Sequence, residues 1–157
     1  MDLNSKTEIV TVHIADLTVV VGAPIEIGKT AAGERRVVPI VGGEVSGPRL
    51  KGLVLPVGAD YQLIRSDGVT ELHARYIIQT PAGSRIYIEN SGLRHGPPEA
   101  MERLRRGEPV DPALIYFRTA VKFETSDEEL GWLTRHIFVC SGSRQPDRVL
   151  ISIYQIT

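Results

Sequence analysis

The sequence predicts an all-β fold, a single antiparallel β-barrel with one short surface helix. Three observations predict it. Fifteen glycines and ten prolines punctuate the chain at short intervals. The stretches between them are rich in Val, Ile, Thr, Tyr and Phe, which is strand composition. Most gaps between these stretches are too short for the crossover of a dozen or more residues that a parallel pair needs, so consecutive strands pair antiparallel as a meander. A sheet of about nine strands with almost no helix to cover it is best served by curling shut, which removes its edges. A two-layer sandwich is the competing arrangement.

In chain order the predicted strands are Ile9–Val21, Arg35–Val41, Leu50–Val57, Ala59–Arg65, Val69–Thr80, Arg85–Asn90, Leu114–Thr125, Trp132–Ser141 and Val149–Ile156. The glycine-rich stretch Gly42-Gly43-Glu-Val-Ser-Gly47 reads as a bulge or tight corner between strands, because no helix follows whose N-terminus could cradle a phosphate. Asp67-Gly68 lies between two alternating runs, the signature of a two-residue hairpin. That register sets Ser66 opposite Val69, Gln62 opposite His73 and Asp60 opposite Arg75 on one face. The other face then collects Tyr61, Leu63, Leu72, Ala74 and Tyr76. A three-residue turn with a bulge at Gly68 would shift the pairing and separate Asp60 from Arg75.

The helix is predicted after Pro97, where two prolines, an early Glu, late arginines and a closing Gly107 are start and stop signals. Glu99 with Arg103 and Glu102 with Arg106 are four apart, and Met101 with Leu104 forms a narrow apolar stripe, so a two-turn surface helix over the barrel mouth is expected, its arginines solvated. In Tyr116–Thr125 alternation puts Tyr116, Arg118, Ala120, Lys122 and Glu124 on one side and Phe117, Thr119, Val121 and Phe123 on the other. A short turn is expected at Ser126, which begins a capping-box pattern ending at Glu129, before the chain returns to strand at Trp132.

The 157 residues fit one domain, residues 1–157. Eighteen basic against nineteen acidic side chains give a formal charge of -1, so no broad positive field exists for nucleic acid. The single cysteine, Cys140, can form no internal disulfide, which favours a reducing compartment and a cytoplasmic protein. The N-terminus lacks the basic patch and apolar run of a signal peptide, and no stretch approaches a membrane span. Zinc-type spacing is absent among His13, His73, His95 and His136. On a strand His136 and Cys140 would stand about 13 Å apart, too far for a catalytic dyad. With no nicotinamide or nucleoside triphosphate signature either, neither metal nor cofactor is expected.

Patterning alone leaves open which face of the Asp67 hairpin looks inward. On the surface an Asp60–Arg75 pair would contribute at most about 1 kcal/mol. Inside a barrel it would orient a polar pocket, and an arginine there could grip a carboxylate or enolate-like oxygen with two parallel hydrogen bonds. Alternation by itself puts Arg118 on the surface.

Several blocks in order, among them Gly33-Glu-Arg-Arg36, Val41-Gly-Gly-Glu-Val-Ser-Gly-Pro-Arg-Leu-Lys-Gly52, Gly58-Ala-Asp-Tyr-Gln-Leu63, Ala74-Arg-Tyr76, Tyr116-Phe-Arg-Thr119 and Trp132-Leu133, resemble domain-of-unknown-function family 3237, also called uncharacterised protein family 0311. The resemblance spans nearly the whole chain. It implies a compact barrel of lipocalin-like, calycin type and a role among aromatic or polyketide-like metabolites. Its motif positions fall on Asp60, Asp67, Arg75, Tyr76, Tyr116, Arg118, Glu124 and Trp132, and it favours Arg75 and Arg118 facing a cavity. Asp67 matches as a turn residue. Pro81-Ala82-Gly83 departs from the pattern, where relatives carry an acidic residue before the glycine.

These observations together point to a barrel that binds a small carbonyl, phenol or carboxylate compound and isomerises, cyclises or eliminates it without a cofactor. Arg75 and Arg118 would hold the oxygen and Asp60 or Glu124 would act as base. His73 would shuttle a proton, Tyr116 would donate a hydrogen bond, and Phe123 and Trp132 would form apolar wall. The alternatives are a non-catalytic binding module and an oligomeric scaffold without a pocket. A small homo-oligomer is expected, since both faces of the Asp67 hairpin carry large apolar or aromatic residues.

Overall fold

The computed structural model describes residues 1–157. Its strands are β1 (Thr11–Val21), β2 (Ile25–Thr30), β3 (Gly33–Ser46), β4 (Gly52–Val54), β5 (Ala59–Ile64), β6 (Thr70–Gln79), β7 (Arg85–His95), β8 (Tyr116–Thr125), β9 (Ile137–Arg144) and β10 (Arg148–Ile156), with one helix, α1 (Pro98–Arg105). All pairings are antiparallel. The order runs β1-β10-β9-β8-β7-β6-β4-β3, β5 shares the place of β4 between β6 and β3, and β1 pairs with β3 to close an eight-strand barrel. The barrel expected from the strand grammar is therefore the fold. Only β2 stays outside the closed wall, paired with β3 alone.

Closure depends on the length and bend of β3. Its first half bonds β2 and β5, its second half β1 and β4. The register against β1 slips from Val20↔Gly42 to Val21↔Ile40, leaving Val41 bulged. The Gly42-Gly43 pair thus lies inside a strand and not between two, and it bends that strand around the barrel. The sequence reading has no strand over 25–30, and the structure adds β2 there. At the other end of the chain, Glu128–Thr134 forms a 3-10 turn capped by the Asp127 carboxylate, which accepts from Glu129 N at 2.9 Å, in place of a cap by Ser126. Trp132 belongs to this turn, so β9 begins later than expected.

The β5–β6 hairpin takes the bulged form. Arg65 N donates to Val69 O at 2.9 Å around Ser66, Asp67 and Gly68, and Gly68 has φ +88°. Asp60 consequently faces Ala74, and Arg75 faces Ala59. The two-residue register is corrected by one position, and because side chains alternate, that slip sends Asp60 and Arg75 to opposite faces of the sheet.

Helix α1 lies across one barrel end. It buries Leu104 as expected, with Ala100 in place of the half-buried Met101. Arg105 is not a solvated group: it pairs with Glu34 of β3 and lies 3.6 Å from Glu26 of β2.

Inside, the barrel divides along its axis. The end formed by the start of β7 and β9 and the finish of β6 and β8 is packed solid with Ile14, Leu17, Ile78, Ile86, Ile88, Phe123, Leu133, Phe138 and Ile153. Burial of this order, at roughly 25 cal/mol per Å² of apolar surface, supplies the stability of the fold. The end beneath α1 has a polar interior.

Candidate functional site

Strand alternation builds the polar half. On β7 the inward phase runs Ile86, Ile88, Asn90, Gly92, Arg94. On β9 it runs Phe138, Cys140, Gly142, Arg144, and on β3 Arg36 precedes Val38 and Ile40. Each strand therefore carries an apolar face that ends in an arginine at the same barrel end. Strand β5 contributes Asp60 and Gln62, β6 Tyr76, and β8 Thr119. A cavity of about 60 Å³ lies among them, with Asp60, Gln62, Asn90, Arg94, Thr119 and Arg144 in its wall and Val19, Ile40, Leu72, Phe117 and Ile151 as its apolar part. Gln62 and Arg94 also line a larger groove of about 390 Å³ between α1 and the β5–β6 hairpin, together with Arg36 and Arg105. These two side chains form the neck between cavity and mouth.

The Asp60 carboxylate is fixed from both sides. Gln62 Nε2 donates to Oδ2 at 2.8 Å and the His73 backbone N–H donates to Oδ1 at 2.9 Å. The arginines are different. Arg36 Nε, Arg94 Nε and Arg144 Nη1 are buried without a hydrogen-bond partner, as are Gln62 Oε1, Asn90 Oδ1 and Thr119 Oγ1. Arg36 has an acidic neighbour in Glu26 at 3.7 Å, whereas Arg94 and Arg144 form no ion pair. Burial pulls the Arg94 guanidinium down to about 10; Asp60 opposes that change, and Arg144 and Arg36 add to it. Burial also lowers Arg144 and Arg36, and in Arg144 the field of Arg36 acts in the same direction. Burial raises the Tyr76 phenol above its ordinary value, with Asn90 partly offsetting it, so Tyr76 stays a hydrogen-bond donor. Buried polar atoms are nearly always satisfied, and a set of unsatisfied donors around one cavity marks a place where another molecule completes them.

Of the residues singled out by sequence, Asp60 and Tyr76 reach this cavity. His73, Arg75, Tyr116, Arg118 and Glu124 stand on the outer surface of β6 and β8, and the expectation that Arg75 and Arg118 face a cavity inside the barrel is corrected. For Arg75 the cause is the hairpin slip; for Arg118 it is plain alternation, since Phe117 and Thr119 point inward. Outside, Arg75 Nε donates to His73 Nε2 at 3.1 Å and lies 4.0 Å from Glu89. His73 Nε2 is thus an acceptor, so the ring proton sits on Nδ1 and faces Ser91 Oγ at 2.6 Å, which leaves that serine unactivated. Tyr116 stacks on His95 with ring centroids 4.8 Å apart. An open outer groove of about 770 Å³ runs past Tyr116 and Arg118, without a buried charge in need of a partner. Phe123 belongs to the solid half, edge-on to Phe138 at 5.1 Å, and Trp132 closes that end beneath the Arg49 guanidinium at 3.9 Å. Arg36, Arg94 and Arg144 were missed. The signal for them was present: a charged residue standing in the phase of a strand's apolar face.

No three His, Cys, Asp or Glu side chains converge as a metal site, and no helix is long and apolar enough to cross a membrane.

Comparison with known proteins agrees with this architecture. A UPF0311 protein of Bradyrhizobium diazoefficiens is 47% identical over 146 residues, covering 93% of this chain and 95% of its own. The crystal structure of a conserved protein of unknown function from Rhodopseudomonas palustris superposes with a TM-score of 0.90 at 42% identity, over 98% of this chain and all (100%) of that one. A β-barrel-like protein from Acinetobacter baumannii does so at 0.86 and 35% identity, over 98% and 99% of the two chains. An enzyme from Penicillium herquei shares the fold at a TM-score of 0.73 and 20% identity, over 98% of each chain. The family model described as "Protein of unknown function (DUF3237)" matches residues 10–156, and the chain belongs to that family.

Proposed function

We propose that this barrel binds a small organic molecule in its polar half, by an oxygen that is anionic or becomes so. The chemistry proposed there is cofactor-independent proton transfer of the kind used in isomerisation, cyclisation or elimination. The observation that carries this is the pair Arg94 and Arg144, which line the cavity around a single inward carboxylate with one buried nitrogen unpaired on each, and the buried Arg36 at the mouth beside them. Such a set destabilises the empty fold and is useful only when something negative enters. Asp60 is the base: its two hydrogen bonds aim it into the cavity and leave each oxygen a free lone pair. Arg94 and Arg144 take the oxygen in the role first assigned to Arg75 and Arg118, and the Tyr76 hydroxyl is an available donor.

Native mass spectrometry of protein purified from its own host, repeated on Arg94→Met, tests the binding. A retained small molecule that the variant loses supports it; an empty protein in both cases removes it. A second reading, storage or presentation without catalysis, is favoured by the tight fixing of Asp60. It predicts that the retained compound comes off unchanged from wild type and Asp60→Asn alike, whereas catalysis predicts that only Asp60→Asn holds it unconverted.

Cys140, buried and unpaired, suits a reducing cytoplasm. The outer row of exposed Ile25, half-buried Val37 and exposed Tyr61, aligned across β2, β3 and β5, supports self-association into a small homo-oligomer, and sedimentation as a monomer at high micromolar concentration would exclude that.

A further inference from the structure

We infer that the cavity is charge-balanced for a carboxylate that surrenders a proton to Asp60: a monoanion carrying a second, acidic C–H or O–H, converted in place to a dianion. This rests on the ligand-binding role proposed above. The geometry divides the charges into two groups. At the mouth, Arg36 lies 3.7 Å from Glu26, and Arg105 pairs with Glu34 and lies 3.6 Å from Glu26, so two cations meet two anions. Inside, Asp60 is the only carboxylate lining the cavity beside Arg94 and Arg144, and neither forms an ion pair with it; Asp147, which also acts on Arg144, is exposed and paired with Arg148, and Arg36 is offset by Glu26 at the mouth. The inner group is therefore +1.

A monocarboxylate entering the cavity brings that group to zero. When the ligand's C–H or O–H bond breaks, the proton forms an O–H bond with an Asp60 oxygen and the electron pair stays on the ligand as an enolate or phenolate. Asp60 is then neutral, the two guanidiniums stand at +2, and the ligand at −2. The sum is zero before and after. A buried site that keeps its balance through the step avoids the desolvated excess charge that either state would otherwise carry. One guanidinium serves the permanent carboxylate and the other the oxygen on which charge develops, which is the differential stabilisation that lowers a barrier. A neutral carbonyl compound would leave one arginine without a partner, and a ligand that enters as a dianion would leave one negative charge too many unless Asp60 were already protonated.

That last consequence makes the balance measurable with non-reacting probes of one carbon skeleton, butyrate and succinate. Calorimetry in buffers of different ionisation enthalpy, from pH 6.5 to 8.5, should show butyrate binding with no proton uptake. Succinate should bind with uptake of about one proton, its affinity falling close to tenfold per pH unit. In Asp60→Asn the inner group is +2, so succinate should bind without proton uptake and independently of pH, at least tenfold tighter than wild type at pH 8.5. If Asp60→Asn does not fold, Arg144→Gln tests the balance from the other side: with the inner group at zero, butyrate should bind only with uptake of about one proton, and succinate should weaken by at least tenfold. Succinate binding to wild type that is independent of pH, or full succinate affinity in Arg144→Gln, overturns the inference. Butyrate binding with no proton-linked succinate binding overturns it while leaving the ligand-binding role intact; failure of both probes to bind removes both.

Discussion

Asp60 and Gln62, two residues apart on β5, point to the same interior face and join at 2.8 Å, the amide donating and the carboxylate accepting. The contact sets the orientation of both groups. Once Gln62 Nε2 is committed to Asp60, Gln62 Oε1 is left buried without a partner. Asp60 is also the only carboxylate in a cavity whose other charged residues, Arg94 and Arg144, are cations. Asp60→Asn removes that charge from beside Arg94 and turns an amide N–H toward the amide of Gln62. Loss of one partner from a buried charged cluster costs about 3 kcal/mol. Urea midpoints should fall accordingly, and an unchanged midpoint would mean that Asp60 contributes nothing to holding the arginines.

Arg94→Met should move stability in the opposite direction. A buried guanidinium held down to about 10 carries an unfavourable free energy on the order of 3 kcal/mol at neutral pH. Part of that is offset by its position 5.5 Å from the Phe117 ring. A similar-sized apolar side chain should therefore stabilise the empty protein by about 1 to 2 kcal/mol while abolishing ligand binding. Arg75→Leu and Arg118→Leu, both on the outer face, should shift stability by no more than about 0.5 kcal/mol and leave binding intact. Binding lost in the outer pair and kept in Arg94→Met would return the site to the outside of the barrel.

The contrast between these arginines shows what the sequence could and could not disclose. Strand composition, short gaps and the start and stop signals after Pro97 are local properties, and they sufficed for the barrel and for α1. Which face of a strand turns inward depends on register, and a one-residue bulge at Gly68 reverses it for the whole hairpin. Asp60 was legible as a chemical group; its partners were not, because they come from β3, β7 and β9, brought alongside only by closure. Arg94 and Arg144 each stand six residues beyond Ile88 and Phe138, in phase with a buried run, and arginine at such a position is ordinarily read as the frayed, solvated end of a strand.

Cys140 gives a pH dependence of known sign. Burial pushes its thiol up to about 12 in the folded protein. In the unfolded chain it ionises near pH 9. Below that pH both states hold the proton and stability is unaffected. Above it the unfolded chain binds fewer protons, so stability falls as pH rises, by about 1.4 kcal/mol per pH unit toward pH 12. The window from pH 9 to 10 belongs mainly to this thiol, since unfolded tyrosine ionises only near pH 10. Denaturation series at pH 8.5 and 10 should show wild type losing about 1 kcal/mol or more beyond any loss in Cys140→Ala. Rapid alkylation of the native protein by iodoacetamide at pH 8.5 would contradict this account.

Barrel closure itself can be tested at Gly43. This residue pairs with Val19 across the β1–β3 seam and has φ +144°. A Cβ placed there would meet the Thr18 carbonyl oxygen at 2.0 Å, a backbone atom that can retreat only if β1 moves away from β3. Gly28, with φ +96°, has nothing within 4 Å of such a Cβ and lies on β2, outside the closed wall. Gly28→Ala thus measures backbone strain alone, about 1 kcal/mol. Gly43→Ala adds the collision and should cost at least about 3 kcal/mol, since the clash falls on the hydrogen-bonded seam. Hydrogen exchange distinguishes the two: Gly43→Ala should expose the amides of Thr18 and Glu44, which face each other across the seam, while Gly28→Ala should leave them protected. Equal effects would mean that the β1–β3 seam is not what holds the barrel shut.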